Sequence, residues 1–363
     1  MTHPEVTVIM PVFNGEKYIE KSIASVLSQT FNNFEFLIVN DGSTDKTAEL
    51  IHRYEDHRIR LICNESNRGI TYSLNKGLET AQGDYVARID SNDLASPDRL
   101  KLQMKLLRQN PEVALIGSSY ALIDDSDKVV KIVQLPTHTA EIKWRLLFQN
   151  CIPHSSAIFK KDIVMALGCY DESFQYAQDY DLWMRISERH QVASIDEPLL
   201  YYRLPGEGSI SHEKKREQAT AASLIHLRTF QKIGIDVTHL FADIDELGEF
   251  LFYNGTLRNP KKAGILFNRI FQVFHSSSFC AGLPREEMIA IQKKFNYSLS
   301  RMHMHSAWES YHQNNLHKFR HCILKSMRYA PFRSLLHLTM LYLKSLPGKK
   351  MSDAISRIRK NLV

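Results

Sequence analysis

The stretch Tyr85-Val86-Ala87-Arg88-Ile89-Asp90-Ser91-Asn92-Asp93 decides the reading of the fold. An apolar run with strand character ends abruptly in two carboxylates and a carboxamide. Hard divalent cations such as Mg2+ and Mn2+ prefer oxygen ligands, and Mg2+ usually takes one or two protein carboxylates together with substrate phosphates. A short acidic turn at the C-terminal end of a strand therefore suits a metal-diphosphate site. The same residues also fit a solvated turn in which Asp93 caps the helical pattern beginning near Pro97. The company the turn keeps separates the two readings.

Working outward, the first ~215 residues alternate strand-like and helix-like segments, which predicts an α/β fold with a mostly parallel sheet. Val6 to Met10 is a short apolar strand expected to stop at Pro11, and Glu16 to Ser28 carries helical spacing. Phe34 to Val39 is the second strand, and the turn Asn40-Asp41-Gly42-Ser43 leads into a helix running toward Tyr54. Ile59 to Cys63, Tyr85 to Ile89 and Val113 to Ile116 supply further strands; helices at Gly69–Ala81 and Pro97–Gln109 lie between them. Tyr120–Ile123 and Val129–Val133 flank a polar turn and predict a hairpin. Ile142–Phe148 is expected as a helix, Ser156–Phe159 as a strand, Tyr180–Arg189 as a helix, and Val192–Ile195 and Leu199–Tyr202 as strands. Gly206-Glu207-Gly208-Ser209 has loop composition.

After about His212 the strands stop and helical patterns take over, at Gln218–Lys232, Leu247–Tyr253, Pro260–Phe274, Arg285–Phe295, Ser300–Gln313 and Leu316–Arg328. Two domains are expected, 1–215 and 216–363. The pieces 307–312 and 319–324 resemble one helix-hairpin unit of tetratricopeptide type, too little to define an array.

The 363 residues suffice for a large core. Five scattered cysteines (Cys63, Cys151, Cys169, Cys280, Cys322) without CxxC spacing argue against a disulfide framework or a zinc site and for a reducing compartment. No signal-like segment opens the chain, and no apolar run approaches the ~20 residues that span a bilayer. A cytoplasmic location at the inner face of the cell membrane is the expectation. From Phe332 onward there are seven Lys/Arg and one acid, so the tail accounts for the net charge of +6. The apolar stretch 335–343 beside those charges fits either peripheral contact with an anionic membrane or a helix docked on the body of the protein. No nucleic-acid module accompanies the basic residues.

Carboxylates and amides follow four strands: Asn14, Asp41, Asn64 with Asn67, and Asp90 to Asp93. In an open α/β sheet, ligands bind beyond the carboxyl ends of strands, so these groups are expected to converge. A dinucleotide fingerprint and a P-loop are both missing from the sequence. Further along, Gln178-Asp179-Tyr180-Asp181-Leu182-Trp183-Met184-Arg185 opens a helix. Asp181 and Arg185 are spaced to pair with each other, which leaves Asp179 for other work. Asp179 fits a general base or a helix cap, and Trp183 a sugar-stacking platform or a core aromatic.

VIMPVFNGE at 8–16, VNDGSTD at 39–45, NRG at 67–69, GDYVARIDSND at 83–93, PDRL at 97–100, IPHSS at 152–156 and QDYDLWMR at 178–185 occur in this order. Together they resemble the inverting glycosyltransferases of family 2 over roughly residues 5–211. The resemblance implies an α/β GT-A fold, a Rossmann-like mixed sheet with helices on both faces, followed by an all-helical C-terminal region. It implies a nucleotide-sugar donor, with UDP as the favoured nucleotide, and a glycan or lipid-linked acceptor. Pro11, Val12, Asn14, Asp41, Asn67, Arg68, Asp90 and Ser91 would bind the donor. Asn92 and Asp93 would hold Mg2+ or Mn2+ on the diphosphate, Asp179 would be the base, and His154 and Trp183 would meet the acceptor.

Three positions depart from the pattern. Asn92 stands where the family usually has a metal-binding aspartate, Gln178 replaces a common Glu, and Pro205 replaces the His of Tyr-Arg-x-His-x-x-Ser. Arg203 of that last motif persists, with Ser209 one residue beyond the motif's serine position, and the 203–211 loop is expected to close over the donor. The rival to an active transferase is a nucleotide-sugar-binding scaffold on the same fold, weakened by Asn92.

Overall fold

The computed structural model describes residues 3–204, 214–237, 241, 260–276, 283–313, 315–329, 338, 341–342 and 345. The chain divides into two compact units, Met1–Thr229 and Phe230–Val363, with the division inside a helix rather than at the composition shift near His212.

In chain order the first unit holds β1 (Val6–Val12), α1 (Ile19–Leu27), β2 (Phe34–Asn40), α2 (Thr47–His52), β3 (Ile59–Cys63), α3 (Ile70–Thr80) and β4 (Tyr85–Arg88). It continues with β5 (Leu94–Ala95), α4 (Arg99–Gln109), β6 (Val113–Ile123), β7 (Val129–Val133) and α5 (Thr139–Leu146). A 3-10 turn (His154–Ser156), β8 (Ile158–Lys160), α6 (Lys161–Ala166), α7 (Gln178–Arg189) and β9 (Gln191–Arg203) follow. Then α8 (Lys215–Lys232) runs into the second unit.

The strands form one mixed sheet in the order β3-β2-β1-β4-β8-β6-β9-β5, with β7 hydrogen-bonded to β6. The β3-β2-β1-β4 half is parallel, β8 is antiparallel to both β4 and β6, and β6 and β9 are parallel. Every residue of β1 and β2 is buried. Apart from Thr7, Glu35 and Asn40 their residues are apolar, and burial of the whole strand requires cover on both faces. On one face Val6, Val8, Met10 and Val12 share a core with Ile19, Ile23 and Val26 of α1 and Leu100, Met104 and Leu107 of α4. On the other, α3 comes so close that a Cβ on Gly77 would lie 2.9 Å from Ile9.

Several boundaries differ from expectation for local reasons. Pro11 does not end β1, which pairs through Val12, because a proline near the end of a strand gives up only one ladder bond. The fifth strand and the first arm of the hairpin are one strand, β6. The small residues Gly117, Ser118 and Ser119 carry the chain through a tight buried stretch, and a Cβ on Gly117 would meet Ile152 at 2.8 Å. The two strands expected between 192 and 202 are likewise one, β9, with register shifts in its pairing to β6 beside Pro198. The hairpin of β6 and β7 is present. Residues 154–156, expected partly as strand, form the 3-10 turn, and α6 was not expected.

The second unit contains α9 (Pro260–Ser276), α10 (Arg285–His312) and α11 (Leu316–Tyr329). The pair of helices expected between 285 and 313 is one continuous α10. It packs on α11 around Ala307, Phe319, Cys322 and Ile323, and a buried Ser300–Ser326 hydrogen bond of 3.0 Å spans the pair. The helix expected at Leu247–Tyr253, the loop 206–209 and the basic end of the chain lie outside the described residues.

Candidate active site

The site forms at the carboxyl ends of the parallel strands. Asn14 takes positive φ (51°), its N–H donates to Ser43 Oγ (3.0 Å), and its Oδ1 accepts from Thr44 N (2.8 Å). These bonds clamp the loop after β1 to the loop after β2. Gly42 sits in that second loop at φ +70°, where a Cβ would strike the Ser66 backbone at 2.6 Å, so only glycine fits. Asp41 is 3% exposed and its carboxylate is fully engaged. It accepts from Asn64 Nδ2 (2.7 Å), Arg68 N (3.0 Å) and Gly69 N (2.9 Å). Anchoring the start of α3 in this way satisfies N–H groups that no helical carbonyl can reach. Asn67 Oδ1 also accepts from Gly69 N, and the Arg68 guanidinium stacks on Tyr72 at 4.4 Å.

The acidic turn is tied down from three sides. Ser22 of α1 donates to Ser91 O at 2.8 Å. Ser155 in the 3-10 turn donates to Asp90 Oδ2 (2.7 Å) and accepts from Asp90 N (3.0 Å). Arg88, two residues earlier on the same face of the strand, donates Nη2 to Asp90 Oδ1 at 2.5 Å. Arg88 is buried, and its Nε and Nη1 have no partner among the described residues. The fourth tie, and the third from an element other than β4, is Arg203 at the end of β9. Its N–H donates to Asp93 Oδ1 (2.9 Å) and its Nε to Asn92 O (2.9 Å). Its Nη1 and Nη2 reach Asp124 O (2.6 Å) and Asp127 Oδ1 (2.5 Å) in the β6–β7 turn, and its face covers Tyr18 at 4.2 Å.

Asp93, expected as a metal ligand, is 1% exposed, and its Oδ2 is closed to solvent without a partner. Burial and the nearby Asp90 charge push its carboxyl well above the usual range. The carboxamide of Asn92 lines the cleft and makes no hydrogen bond among the described residues. Asp90 lines the same cleft, of about 620 Å3.

Asn150, His154 and Asp179 line the same cleft. Ala177 adopts the left-handed conformation (φ 60°) immediately before α7 and turns the chain so that Asp179 falls in the first helical turn. Anionic groups are favoured at that end of a helix. Asp179 accepts from Tyr180 N and from Asn150 Nδ2, each at 2.8 Å. Its carboxyl is pushed up to about 6, chiefly by desolvation, with Asp90 adding to the rise while the two hydrogen bonds and Arg88 oppose it. Asp181 pairs with Arg185 at 2.6 Å as the spacing predicted. His154 bonds to Tyr170 Oη (2.8 Å), and burial holds its pKa well below the usual value, so it is neutral.

Trp183, expected to meet a sugar, is instead fully buried. Its Nε1 donates to Ile152 O, and its ring is wedged between His154 and Phe159, so it backs the wall and has no face toward the cleft. The side chains that sequence reasoning missed are Arg88, Asn150 and the rim residues Tyr120, Gln134, Arg145 and Tyr202. Arg88 carried the one available signal, a charge inside an otherwise apolar strand.

A half-parallel mixed sheet, with an acidic turn after its fourth strand and a carboxylate of raised pKa across one cleft, defines a nucleotide-sugar transferase fold. Residues 7–168 match the model for glycosyl transferase family 2, and the chain belongs to that family. The O-antigen biosynthesis glycosyltransferase WbnJ of Escherichia coli is 31% identical over 223 residues, covering 60% of this chain and 84% of the relative. The UDP-Glc:alpha-D-GlcNAc-diphosphoundecaprenol beta-1,3-glucosyltransferase WfgD, also of Escherichia coli, is 30% identical over 215 residues, covering 58% and 81%. Among solved structures, the mannosyltransferase PcManGT of Pyrobaculum calidifontis, in complex with GDP-Man and Mn2+, superposes with a TM-score of 0.52 at 17% identity. The match covers 90% of this chain and 88% of that one and establishes the shared GT-A fold.

Proposed function

We propose that this chain is an inverting glycosyltransferase that moves a sugar from a UDP-sugar to a hydroxyl of a glycan or glycolipid during cell-surface polysaccharide or lipopolysaccharide synthesis. The observation that carries the reading is one cleft lined by Asp90, Asn92 and Asp179, the last with its carboxyl pushed up to about 6. The printed activities of WbnJ and WfgD support the polysaccharide context, and that of WfgD supports UDP and a lipid-linked acceptor.

Asp179 accepts the proton of the acceptor hydroxyl as that oxygen bonds to the anomeric carbon. The bond from that carbon to the diphosphate oxygen breaks with its electron pair leaving on the nucleotide. One in-line displacement inverts the centre, so an α-linked donor gives a β-linked product. Asp41 and Asn14 hold the loops that shape the nucleotide end of the cleft, with Pro11, Val12, Asn67 and Arg68 around them. Asp90 and Ser91 face the ribose and diphosphate.

The oxygen chemistry of the turn fits a hard divalent ion. Asn92 has a free carboxamide at the cleft and Asp90 a carboxylate beside it, so Asn92 and Asp90 would hold Mg2+ or Mn2+, while Asp93 secures the turn from behind. When bound, the ion neutralises charge on the leaving diphosphate. Among the described residues no group of three His, Cys, Asp or Glu is arranged to hold a metal ion, so most ligands would come from the diphosphate and water. A screen of nucleotide-sugars for Mn2+-dependent transfer and hydrolysis tests the reading; a UDP-sugar is expected to turn over. The amide at position 92 favours a second reading, a binding scaffold. Metal-independent UDP binding by calorimetry, without hydrolysis of any donor, would support that instead.

A further inference from the structure

Asn150 lies between α5 and the 3-10 turn, on the exposed lip of the cleft. Its carboxamide is oriented at both ends. Oδ1 accepts the backbone N–H of Ile152 at 3.2 Å. A backbone N–H can only donate, so the amide nitrogen is left facing Asp179, where Nδ2 donates to Oδ2 at 2.8 Å. The other carboxylate oxygen is engaged by Tyr180 N, a bond local to the start of α7. Asn150 is therefore the tie between the carboxylate and a separate element of the wall. Resting on the reading of Asp179 as base, we propose that Asn150 is a positioning residue for it: the donated hydrogen bond fixes the Oδ2 edge so that the carboxylate meets the acceptor hydroxyl in one orientation.

The charged and titratable groups around Asp179 come from several elements. Arg88 and Asp90 belong to β4 and its turn, His154 to the 3-10 turn, and Tyr170 to the segment after α6. Arg145 lies at the end of α5, and Asp181 and Arg185 on α7 itself. Asp181 and Arg185 engage each other, Arg145 pairs with Glu141 at 2.8 Å and His154 is neutral, which leaves Arg88 and Asp90 as opposed charges. A neutral donor on Oδ2 tips that balance toward the ionised base without adding a charge beside the acceptor.

The test compares full-length wild type, Asn150→Ala, Asn150→Asp and Asp179→Asn in kcat, donor KM, UDP affinity and the pH profile of kcat/KM. Asn150→Ala is expected to lower kcat by about 10- to 100-fold, as losing a partner that orients a catalytic group typically does. UDP affinity stays unchanged, and the acidic limb of the profile moves to higher pH because a bond that stabilises the carboxylate is gone. Asn150→Asp moves the limb further up, since it sets a second negative charge beside the first. An unmoved limb in Asn150→Ala, with Asp179→Asn inactive, overturns the positioning role while leaving the base reading intact. A parallel fall in UDP affinity and turnover without a limb shift also overturns it, by marking Asn150 as structural. Turnover by Asp179→Asn would instead sink the base reading itself. Should Asn150→Ala fail to fold, Asn150→Ser supplies the same comparison.

Discussion

Asn92 is the residue where sequence and geometry pull hardest against each other. An amide oxygen ligates a hard cation with less charge than a carboxylate, and Asp93 adds none, because it is shut into the protein behind the turn. Asn92→Asp is therefore expected to tighten Mn2+ binding in the presence of UDP by about tenfold, from the added ligand charge. Calorimetric titration of Mn2+ into the protein–UDP complex reads it; unchanged affinity would place the ion away from residue 92. The identities of Asp90, Asn92 and Asp179 were legible in the sequence because their spacing relative to strand and helix patterns is distinctive. The burial of Asp93 was not, and for Trp183 the sequence left a core position and a sugar-facing one equally open. Which face of a turn or helix a side chain takes depends on the elements packed behind it, here Arg203 of β9 for Asp93 and Phe159 of β8 for Trp183.

At the scale of elements, the acidic turn is held by parts of the chain far away in sequence. Arg203 joins the end of β9 to the turn and to the β6–β7 hairpin through one buried guanidinium. Arg99, from the motif at 97–100, donates Nη2 to the carbonyls of Arg88 (2.7 Å) and Ala157 (3.1 Å), fixing β4 against β8. Arg203→Ala strips hydrogen bonds from the Asn92 and Asp124 carbonyls and a partner from Asp127. A loss of about 2–4 kcal/mol in stability is expected for breaking such a buried charged hub. Urea denaturation measures that loss, and calorimetry should show weaker UDP binding as well, because the turn loosens. Wild-type UDP affinity in the variant would show that the clasp serves stability alone. The parallel half of the sheet was legible because each strand there is a short apolar run between helical patterns. The strand β8 was expected, but its antiparallel direction, and the fusion of paired segments into β6 and β9, were not. They rest on small residues and register shifts that leave no periodic signal.

For the whole molecule, no helix among the described residues is long and apolar enough to cross a membrane. The proposal of a lipid-linked acceptor and the basic composition of 332–363 together suggest peripheral contact with an anionic membrane. Truncation after Ala330 is expected to abolish sedimentation with anionic liposomes; undiminished sedimentation would place membrane contact elsewhere. The proposed role of Asp179 as base requires it to be ionised. Burial raises its pKa to about 6, so activity is expected to be full above that value and to fall roughly tenfold per pH unit below it, as protons remove the base. The most direct test of the central claim is Asp179→Asn, measured for sugar transfer and for UDP-sugar affinity in the same preparation. The account predicts that transfer is lost while donor affinity stays within about twofold, because the base acts on the acceptor and not on the nucleotide. Transfer at the wild-type rate would contradict it.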